Sequence, residues 1–220
     1  MDAGEVGRLR APGRVARAGL PLAEAKAAVI LLHGRGATAE DILSLSEELD
    51  AGRLAFLAPQ SDGYAWYPNS FLEPLAKNES GIRRAFEVID YLLAQCAAAG
   101  IPAERVFVGG FSQGACLSLE YAASHAQRYA GVLGLSGGLI GPDGTPRDYP
   151  GSLEGTPVFL GCSDVDPYIP KSRVIETASV LKALGGDVTL RFYTDAPHSV
   201  NEDEIEILRH LVRVEEASGA

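Results

Sequence analysis

Strand-like runs that alternate with helix-like segments are the feature that most constrains the fold of this chain. Six runs are predicted as strands, most of them continuous apolar stretches typical of strands covered on both faces: residues 26–34, 53–60, 105–111, 130–138, 156–163 and 187–194. Helix patterns cover residues 38–50, 79–99, 113–127, 170–184 and 202–217. This order predicts an α/β fold, in which a mostly parallel central sheet carries helices on both faces and right-handed crossovers join the strands.

Two of the predicted helices begin with the residues of a capping box. Thr38 is followed three positions later by Asp41, and Asn201 is followed three positions later by Glu204. In such a box each side chain accepts a hydrogen bond from the backbone amide of the other residue. We therefore expect helices to begin directly after Thr38 and Asn201.

The length of the chain favours a single domain. With 220 residues, of which 46% are hydrophobic, the chain can bury one large core. We expect one domain over residues 1–220, with residues 1–25 as a less certain N-terminal arm.

The N-terminal residues lack the apolar segment of a secretory signal, and no apolar run reaches membrane-spanning length. The expected location is therefore the cytoplasm, without membrane insertion.

Charge and cysteine content narrow the partners and the redox environment. Acidic residues outnumber basic residues by 29 to 19, which gives a net charge of −10. Such a charge repels phosphate backbones, so we expect no nucleic-acid partner.

The cysteines are odd in number and widely spaced, at Cys96, Cys116 and Cys162. We expect them to be reduced thiols in packed positions.

A serine between glycines, in GFSQG at residues 110–114, is the strongest chemical signal. In a parallel sheet the chemistry gathers beyond the carboxyl ends of the strands, and Ser112 lies between a predicted strand and a predicted helix. Such an elbow forces its serine into a sparsely allowed backbone conformation, which Gly110 and Gly114 make possible by removing side chains that would collide. A plain turn is the alternative. The second match, GLSGG around Ser136, is followed by turn formers rather than a helix, so we predict Ser112 as the nucleophile.

A serine nucleophile needs a base, and the base needs an acid to orient it. The chain order expected on this type of sheet is Ser, then Asp or Glu, then His. Only His198 follows a predicted strand and lies in a loop after Ser112. His125 and His210 lie on predicted helices, and His33 precedes the serine. We predict His198 as the base.

Two aspartates compete for the role of the acid. Asp164 and Asp166 both follow the predicted strand at residues 156–163. One of them could instead hydrogen-bond the backbone in a turn, as Asp before Pro often does. We favour Asp166, and Asp164 remains the alternative.

The tetrahedral intermediate of acyl transfer also needs two backbone donors for its oxyanion. The N–H of Gln113, directly after the nucleophile, is one candidate, and the loop HGRGA offers the N–H of Arg35 as the other.

The same loop has the outline of a dinucleotide-binding fingerprint, but the strand that should end in a ribose-binding acid ends in Ala-Pro-Gln. No lysine follows a glycine, so a P-loop is excluded, and H-E-x-x-H is absent. We expect neither a cofactor nor a metal.

Five motifs, taken together, resemble a known family. The segments LLHGRGA, APQSDGYAWYP, GGFSQGA, GCSDVDPYIP and APHSVNEDEI occur in order at the ends of predicted strands. They resemble the phospholipase/carboxylesterase family of α/β-hydrolases, the group that includes acyl-protein thioesterases. The resemblance runs from about residue 27 to residue 212.

The resemblance implies a fold and a set of site residues. It implies an α/β-hydrolase fold with Ser112 as nucleophile, His198 as base and Asp166 as acid. It also implies oxyanion donors at Arg35 and Gln113. No insertion is large enough to form a helical cap domain, so we expect an open site that suits esters of small or medium acyl chain.

The loop at residues 64–78 is rich in aromatic and aliphatic side chains, which need a surface to cover. It forms either a satellite hydrophobic cluster or one wall of an acyl pocket. We interpret the side chain of Arg35 as solvated. The predicted substrate-binding residues are Trp66, Phe71, Leu72 and Leu139.

The predicted function is hydrolysis of a small-molecule carboxylic ester through an acyl-enzyme intermediate. A thioesterase or lysophospholipase with the same three residues is the alternative, because thioesters react through the same intermediate. A non-catalytic or dinucleotide-binding α/β protein is a more remote alternative.

Overall fold

The computed structural model describes residues 12–49 and 52–218, and within them the chain forms one seven-stranded sheet. The strand order is β1-β3-β2-β4-β5-β6-β7. Strand β1 is antiparallel to β3, and all other neighbours are parallel. The strands are β1 Val15–Gly19, β2 Ala27–Leu32, β3 Leu54–Pro59, β4 Val106–Phe111, β5 Gly131–Leu135, β6 Pro157–Ser163 and β7 Asp187–Tyr193.

Helices cover both faces of the sheet. They are α1 Ala39–Leu43, α2 Leu45–Leu49, α3 Glu79–Ala98, α4 Gln113–Ser124, α5 Lys171–Ala183 and α6 Glu202–Ser218. Alternate residues of a strand point to opposite faces, and β2 shows the result. Ala28, Ile30 and Leu32 pack with α3, α4 and α5, whereas the intervening residues of β2 pack with α1, α2 and α6. The predicted α/β-hydrolase fold, with helices on both faces of a mostly parallel sheet, is confirmed.

The N-terminal edge strand was not predicted from the sequence. Residues 1–25 were expected to be an uncertain arm, yet Val15–Gly19 pairs along β3, with Val15 opposite Pro59. The backbone of β1 forms hydrogen bonds along the outer edge of β3, whose amide and carbonyl groups would otherwise be unpaired. Residues 1–11 of the expected arm lie outside the described residues.

The predicted helix at residues 38–50 consists of two short helices. Ser44 separates α1 from α2, and its hydroxyl donates to the Asp41 carbonyl at 2.7 Å. A side chain that bonds a nearby carbonyl competes with the regular helical pattern. The capping box before α1 is present, with Thr38 N–H donating to Asp41 Oδ2 and Asp41 N–H donating to Thr38 Oγ1.

No helical cap domain covers the sheet in the part of the chain that the structure describes. The segment at residues 60–78 contains only two short 3₁₀ turns, and the segment at residues 136–156 contains no helix. Within the same described ranges, no helix is both long enough and apolar enough to span a bilayer.

Candidate active site

Ser112 lies at a strained turn between β4 and α4. Its backbone has φ 54° and ψ −115°, a conformation that non-glycine residues seldom adopt and that costs on the order of 1–3 kcal/mol. The flanking glycines leave room for the turn. A Cβ on Gly114 would lie 2.0 Å from the Leu32 carbonyl oxygen, and a Cβ on Gly110 would lie 2.4 Å from the same atom. The chain can therefore make this turn only with glycine at both positions.

Three side chains far apart in the sequence form one hydrogen-bonded chain. His198 Nε2 lies 2.9 Å from Ser112 Oγ, and His198 Nδ1 lies 2.7 Å from Asp166 Oδ2. The imidazole ring also contacts the rings of Phe111 and Tyr168, with centroids 4.8 Å and 5.0 Å away. These contacts fix the orientation of the ring. The structure thus brings together the predicted nucleophile, base and acid.

The carboxylate of Asp166 is fully buried and fully hydrogen-bonded. Its Oδ1 accepts the backbone N–H groups of Tyr168 at 2.9 Å and Ile169 at 3.0 Å, and the thiol of Cys162 lies 3.8 Å from Oδ2. Burial raises the pKa of this carboxyl, but hydrogen bonds from His198 and the two amides outweigh burial, and the net pKa is lowered. Asp166 is therefore an anion that holds the imidazole by Nδ1–H.

The alternative acid, Asp164, is engaged elsewhere. Its Oδ1 accepts the backbone N–H of Asp195 at 3.1 Å, which ties the loop after β6 to the loop after β7. The local turn bonds expected of an aspartate before proline are made by Asp166 itself, through the N–H groups of Tyr168 and Ile169. Of the two aspartates, the structure places Asp166 against His198.

The two predicted oxyanion donors belong to two segments close to Ser112, the start of α4 and the loop after β2. Gln113 is the first residue of α4, so its N–H has no partner within the helix. The loop after β2 approaches the serine closely, since a Cβ on Gly34 would lie 3.5 Å from Ser112 Cβ. Among the described residues, the N–H of Arg35 in this loop has no hydrogen-bond acceptor, whereas the N–H of Gly36 donates to Tyr64 at 2.7 Å.

A cavity of about 640 Å³ opens beside Ser112, and it matches only one of the four predicted substrate-binding residues. Phe71 lines it. Trp66 does not line the cavity, and its indole N–H donates to the His33 carbonyl at 2.9 Å. Leu72 packs against the main core, and Leu139 is completely buried. The lining consists of Gly34, Arg35, Ala37, Tyr67, Ser70, Phe71, Phe111, Ser112, Gln113, Cys116, Tyr168, Ile169 and His198.

Several lining residues were missed by the sequence analysis. Tyr168 and Ile169 lie two and three positions after the acid, and Cys116 lies one helical turn after Ser112. Their positions relative to the motifs could have indicated them. Trp66 and Phe71 belong to the main hydrophobic core rather than to a satellite cluster. The loop at residues 64–78 therefore contributes both to the core and to the cavity wall.

The prediction that the Arg35 side chain is solvated is incomplete. Although the residue is exposed, its guanidinium donates to the backbone carbonyls of Tyr67, Pro68 and Asn69. Sequence patterns carry no signal for a bond between a side chain and a backbone group more than 30 residues away.

The fold and the site together define a class of protein. A mostly parallel sheet with a strained serine between a strand and a helix, and a histidine and an aspartate from later strand ends, is the arrangement of an α/β-hydrolase. Among the described residues, no group of three or more His, Cys, Asp or Glu side chains is placed to hold a metal ion.

Comparison with known proteins identifies the family. A model of the phospholipase/carboxylesterase family matches residues 19–215, and the chain belongs to this family. A phospholipase/carboxylesterase from Dyadobacter fermentans has a similar structure, with a TM-score of 0.87 and 38% sequence identity over 91% of this chain and 96% of that chain. The resemblance seen in the sequence motifs is confirmed, and the family is one of ester hydrolases.

Curated relatives include acyl-protein thioesterases from fungi. Acyl-protein thioesterase 1 of Candida albicans is 29% identical over 87% of this chain and 94% of its own length. Acyl-protein thioesterase 1 of Gibberella zeae is 28% identical over 91% of this chain and 96% of its own length.

Proposed function

We propose that the protein is a serine hydrolase that cleaves carboxylic esters of small or medium acyl chain. Ser112 is the nucleophile, His198 the general base and Asp166 the acid that orients it. The observation that carries the proposal is the continuous chain of two short hydrogen bonds from the Asp166 carboxylate through the imidazole to the Ser112 hydroxyl.

Acylation begins when the Ser112 oxygen attacks the ester carbonyl carbon and its proton moves to His198 Nε2. The carbonyl oxygen becomes an oxyanion, which accepts the N–H groups of Arg35 and Gln113. The bond from carbon to the alkoxy oxygen then breaks, and His198 returns the proton to the departing alcohol. Asp166 stabilises the imidazolium throughout.

Deacylation repeats these steps with water as the nucleophile. Water gives a proton to His198 Nε2 as its oxygen attacks the acyl carbon of the ester on Ser112. The bond to the Ser112 oxygen breaks, and His198 returns the proton to that oxygen. The carboxylic acid leaves, and the enzyme is restored without any cofactor.

The dimensions and chemistry of the cavity support a small or medium acyl group. Its volume of about 640 Å³ is within the range of small-molecule sites, roughly 300–1,000 Å³. Tyr67, Phe71 and Ile169 supply an apolar wall, and no helical cap encloses it in the part of the chain that the structure describes. An ester with a short apolar acyl chain can bury that chain while its alcohol faces solvent.

A thioester is the second candidate substrate. The curated relatives named above are acyl-protein thioesterases with 28–29% identity. The same nucleophile, base and oxyanion donors would serve a thioester, because the tetrahedral intermediate has the same oxyanion and only the leaving atom differs.

Hydrolysis kinetics on matched acyl donors test both candidates. The donors are 4-nitrophenyl esters from acetyl to dodecanoyl and coenzyme A thioesters of the same acids. We expect turnover of the shorter esters by the wild type and none above background by Ser112→Ala. Ser136→Ala is the matched control, because Ser136 is the buried serine of the second GxSxG match, and it should keep wild-type kcat.

The outcomes separate the alternatives. Turnover that persists in Ser112→Ala contradicts the proposed function. A higher kcat/KM for thioesters than for esters of the same acid selects the second candidate.

A further inference from the structure

The guanidinium of Arg35 is held by a short stretch of backbone across the cavity. Nη2 donates to the carbonyl oxygens of Tyr67 at 2.8 Å and Asn69 at 2.7 Å, and Nη1 donates to that of Pro68 at 3.0 Å. No carboxylate among the described residues forms an ion pair with Arg35. The planar fork of arginine suits several acceptors at once. Three carbonyls thus take the place that a carboxylate usually fills.

The side chain of the second oxyanion residue reaches the same stretch. Gln113 Oε1 accepts the backbone N–H of Trp66 at 2.9 Å, and Gln113 Nε2 donates to the Tyr67 carbonyl at 2.8 Å. The Tyr67 carbonyl oxygen therefore accepts from both Gln113 and Arg35. Both residues whose backbone N–H groups face the expected oxyanion send their side chains to residues 66–69.

Residues 66–69 also lead into the cavity wall. Tyr67 lies within the stretch, and Ser70 and Phe71 follow it, and all three line the cavity. The ring of Tyr67 lies 5.9 Å from the guanidinium carbon of Arg35. The acyl wall and the two oxyanion donors consequently belong to one hydrogen-bonded unit, with the Tyr67 carbonyl at its centre.

The other bonds of the loop that presents the Arg35 amide come from the residues on either side of it. The His33 ring lies within hydrogen-bond distance of the Gly34 carbonyl and accepts the Ser61 N–H, and the His33 carbonyl accepts the Trp66 indole. The Gly36 N–H donates to the Tyr64 carbonyl, so the guanidinium is the only group of Arg35 itself that ties the loop to other described residues. An oxyanion donor must lie within a few tenths of an ångström of its working position, and a displacement of about 1 Å can reduce the rate by about 100-fold.

We propose that Arg35 is a positioning residue, whose side chain ties the oxyanion loop to residues 66–69 and so holds its own backbone N–H in place beside Ser112. The proposal rests on the proposed function, since it assigns the Arg35 amide to the oxyanion. The competing role is recognition of an anionic group on the substrate, because Arg35 brings a cation to the rim of the cavity.

Steady-state kinetics of Arg35→Leu and Arg35→Lys separate the two roles. The substrates are a neutral ester, 4-nitrophenyl butyrate, and an anionic ester of similar length, 4-nitrophenyl hemisuccinate. For Arg35→Leu we expect kcat to fall roughly 10- to 100-fold on both esters alike, with KM changed by no more than about twofold. Arg35→Lys should recover part of the loss, because an ammonium group can donate to some of the carbonyls but lacks the fork.

Arg128→Leu is the matched control. Arg128 is an arginine that also donates to a backbone carbonyl, that of Glu154 at 3.1 Å, but it does not line the cavity. We expect this variant to keep wild-type kcat and KM on both esters. Thermal unfolding of each variant is measured alongside, and if Arg35→Leu does not fold, Arg35→Lys provides the test, since it keeps the charge and should still lose kcat.

Three results would overturn the positioning role. They are an unchanged kcat in Arg35→Leu, a loss confined to KM of the hemisuccinate, and a full recovery in Arg35→Lys, which would assign the effect to charge. The failure of the proposed function is distinguishable, because it requires turnover by Ser112→Ala. If Ser112→Ala is inactive and Arg35→Leu has wild-type kcat, only the role of Arg35 is refuted.

Discussion

Replacing Asp166 by asparagine should abolish most activity, although both terminal atoms of the side chain can still form hydrogen bonds in the site. Asp166 Oδ1 accepts two backbone N–H groups, and Oδ2 accepts Nδ1–H of His198. In Asp166→Asn the single amide oxygen must stay with the two backbone donors, so the NH₂ group faces the imidazole. His198 then accepts at Nδ1 and carries its proton on Nε2, where it can no longer take the proton of Ser112.

The magnitude follows from the loss of the correct tautomer. In the serine protease triad the equivalent change lowers kcat by about 10⁴-fold, which corresponds to about 5 kcal/mol of activation free energy. We expect a loss of this order on 4-nitrophenyl butyrate, with KM little changed. The assay is steady-state release of 4-nitrophenolate, supported by thermal unfolding to show that the variant is folded.

Asp164→Asn is the matched control for this prediction. The asparagine oxygen can still accept the N–H of Asp195. We therefore expect the free energy of unfolding to change by no more than about 0.5 kcal/mol and kcat to stay close to that of wild type. An equal loss of activity in Asp164→Asn and Asp166→Asn, or more than a tenth of wild-type kcat in Asp166→Asn, would contradict this role of Asp166.

Three further predictions concern stability and reactivity. Gly114→Ala places a Cβ 2.0 Å from the Leu32 carbonyl oxygen, so urea unfolding should show a loss of about 3 kcal/mol or more, whereas Gly13→Ala, with nothing within 4 Å of its Cβ, should be neutral. Burial raises the pKa of the Glu204 carboxyl from 4.5 to about 7. The folded protein therefore favours the protonated carboxyl, and the stability that this group contributes is fully present below about pH 4.5 and is lost as pH rises through 7. Between pH 5 and pH 8 the wild type should therefore lose about 2 kcal/mol of unfolding free energy that Glu204→Gln keeps. Equal pH slopes for the two proteins would contradict this. Burial raises the pKa of every cysteine thiol to about 11 or 12, so iodoacetamide at pH 8 should leave the native protein unlabelled by mass and fully active, while three alkylations should appear in urea.

The parts of the fold that the sequence predicted well depend on local patterns. The six strands of the parallel part of the sheet are continuous hydrophobic runs or alternating ones, and the helix starts at Thr38 and Asn201 carry their own capping partners. The elbow at Ser112 was also predicted from neighbours in sequence, because its glycines stand two positions on either side.

The features that were missed depend on partners distant in sequence. Strand β1 is five residues long with two alanines, and pairing with β3 rather than its own pattern makes it a strand. The direction of the Trp66 indole and the anchoring of Arg35 depend on carbonyls about 33 residues away. A single sequence gives no measure of such distances, so the cavity wall could not be predicted residue by residue.

The most direct test of the central claim is to locate the covalent bond that the nucleophile forms. The protein is treated with a fluorophosphonate, digested and mapped by mass spectrometry. We expect one adduct, on the peptide that contains Ser112, and we expect both the adduct and ester turnover to disappear in His198→Ala. An adduct on Ser136 or another serine, or turnover that survives without any adduct at Ser112, would contradict it.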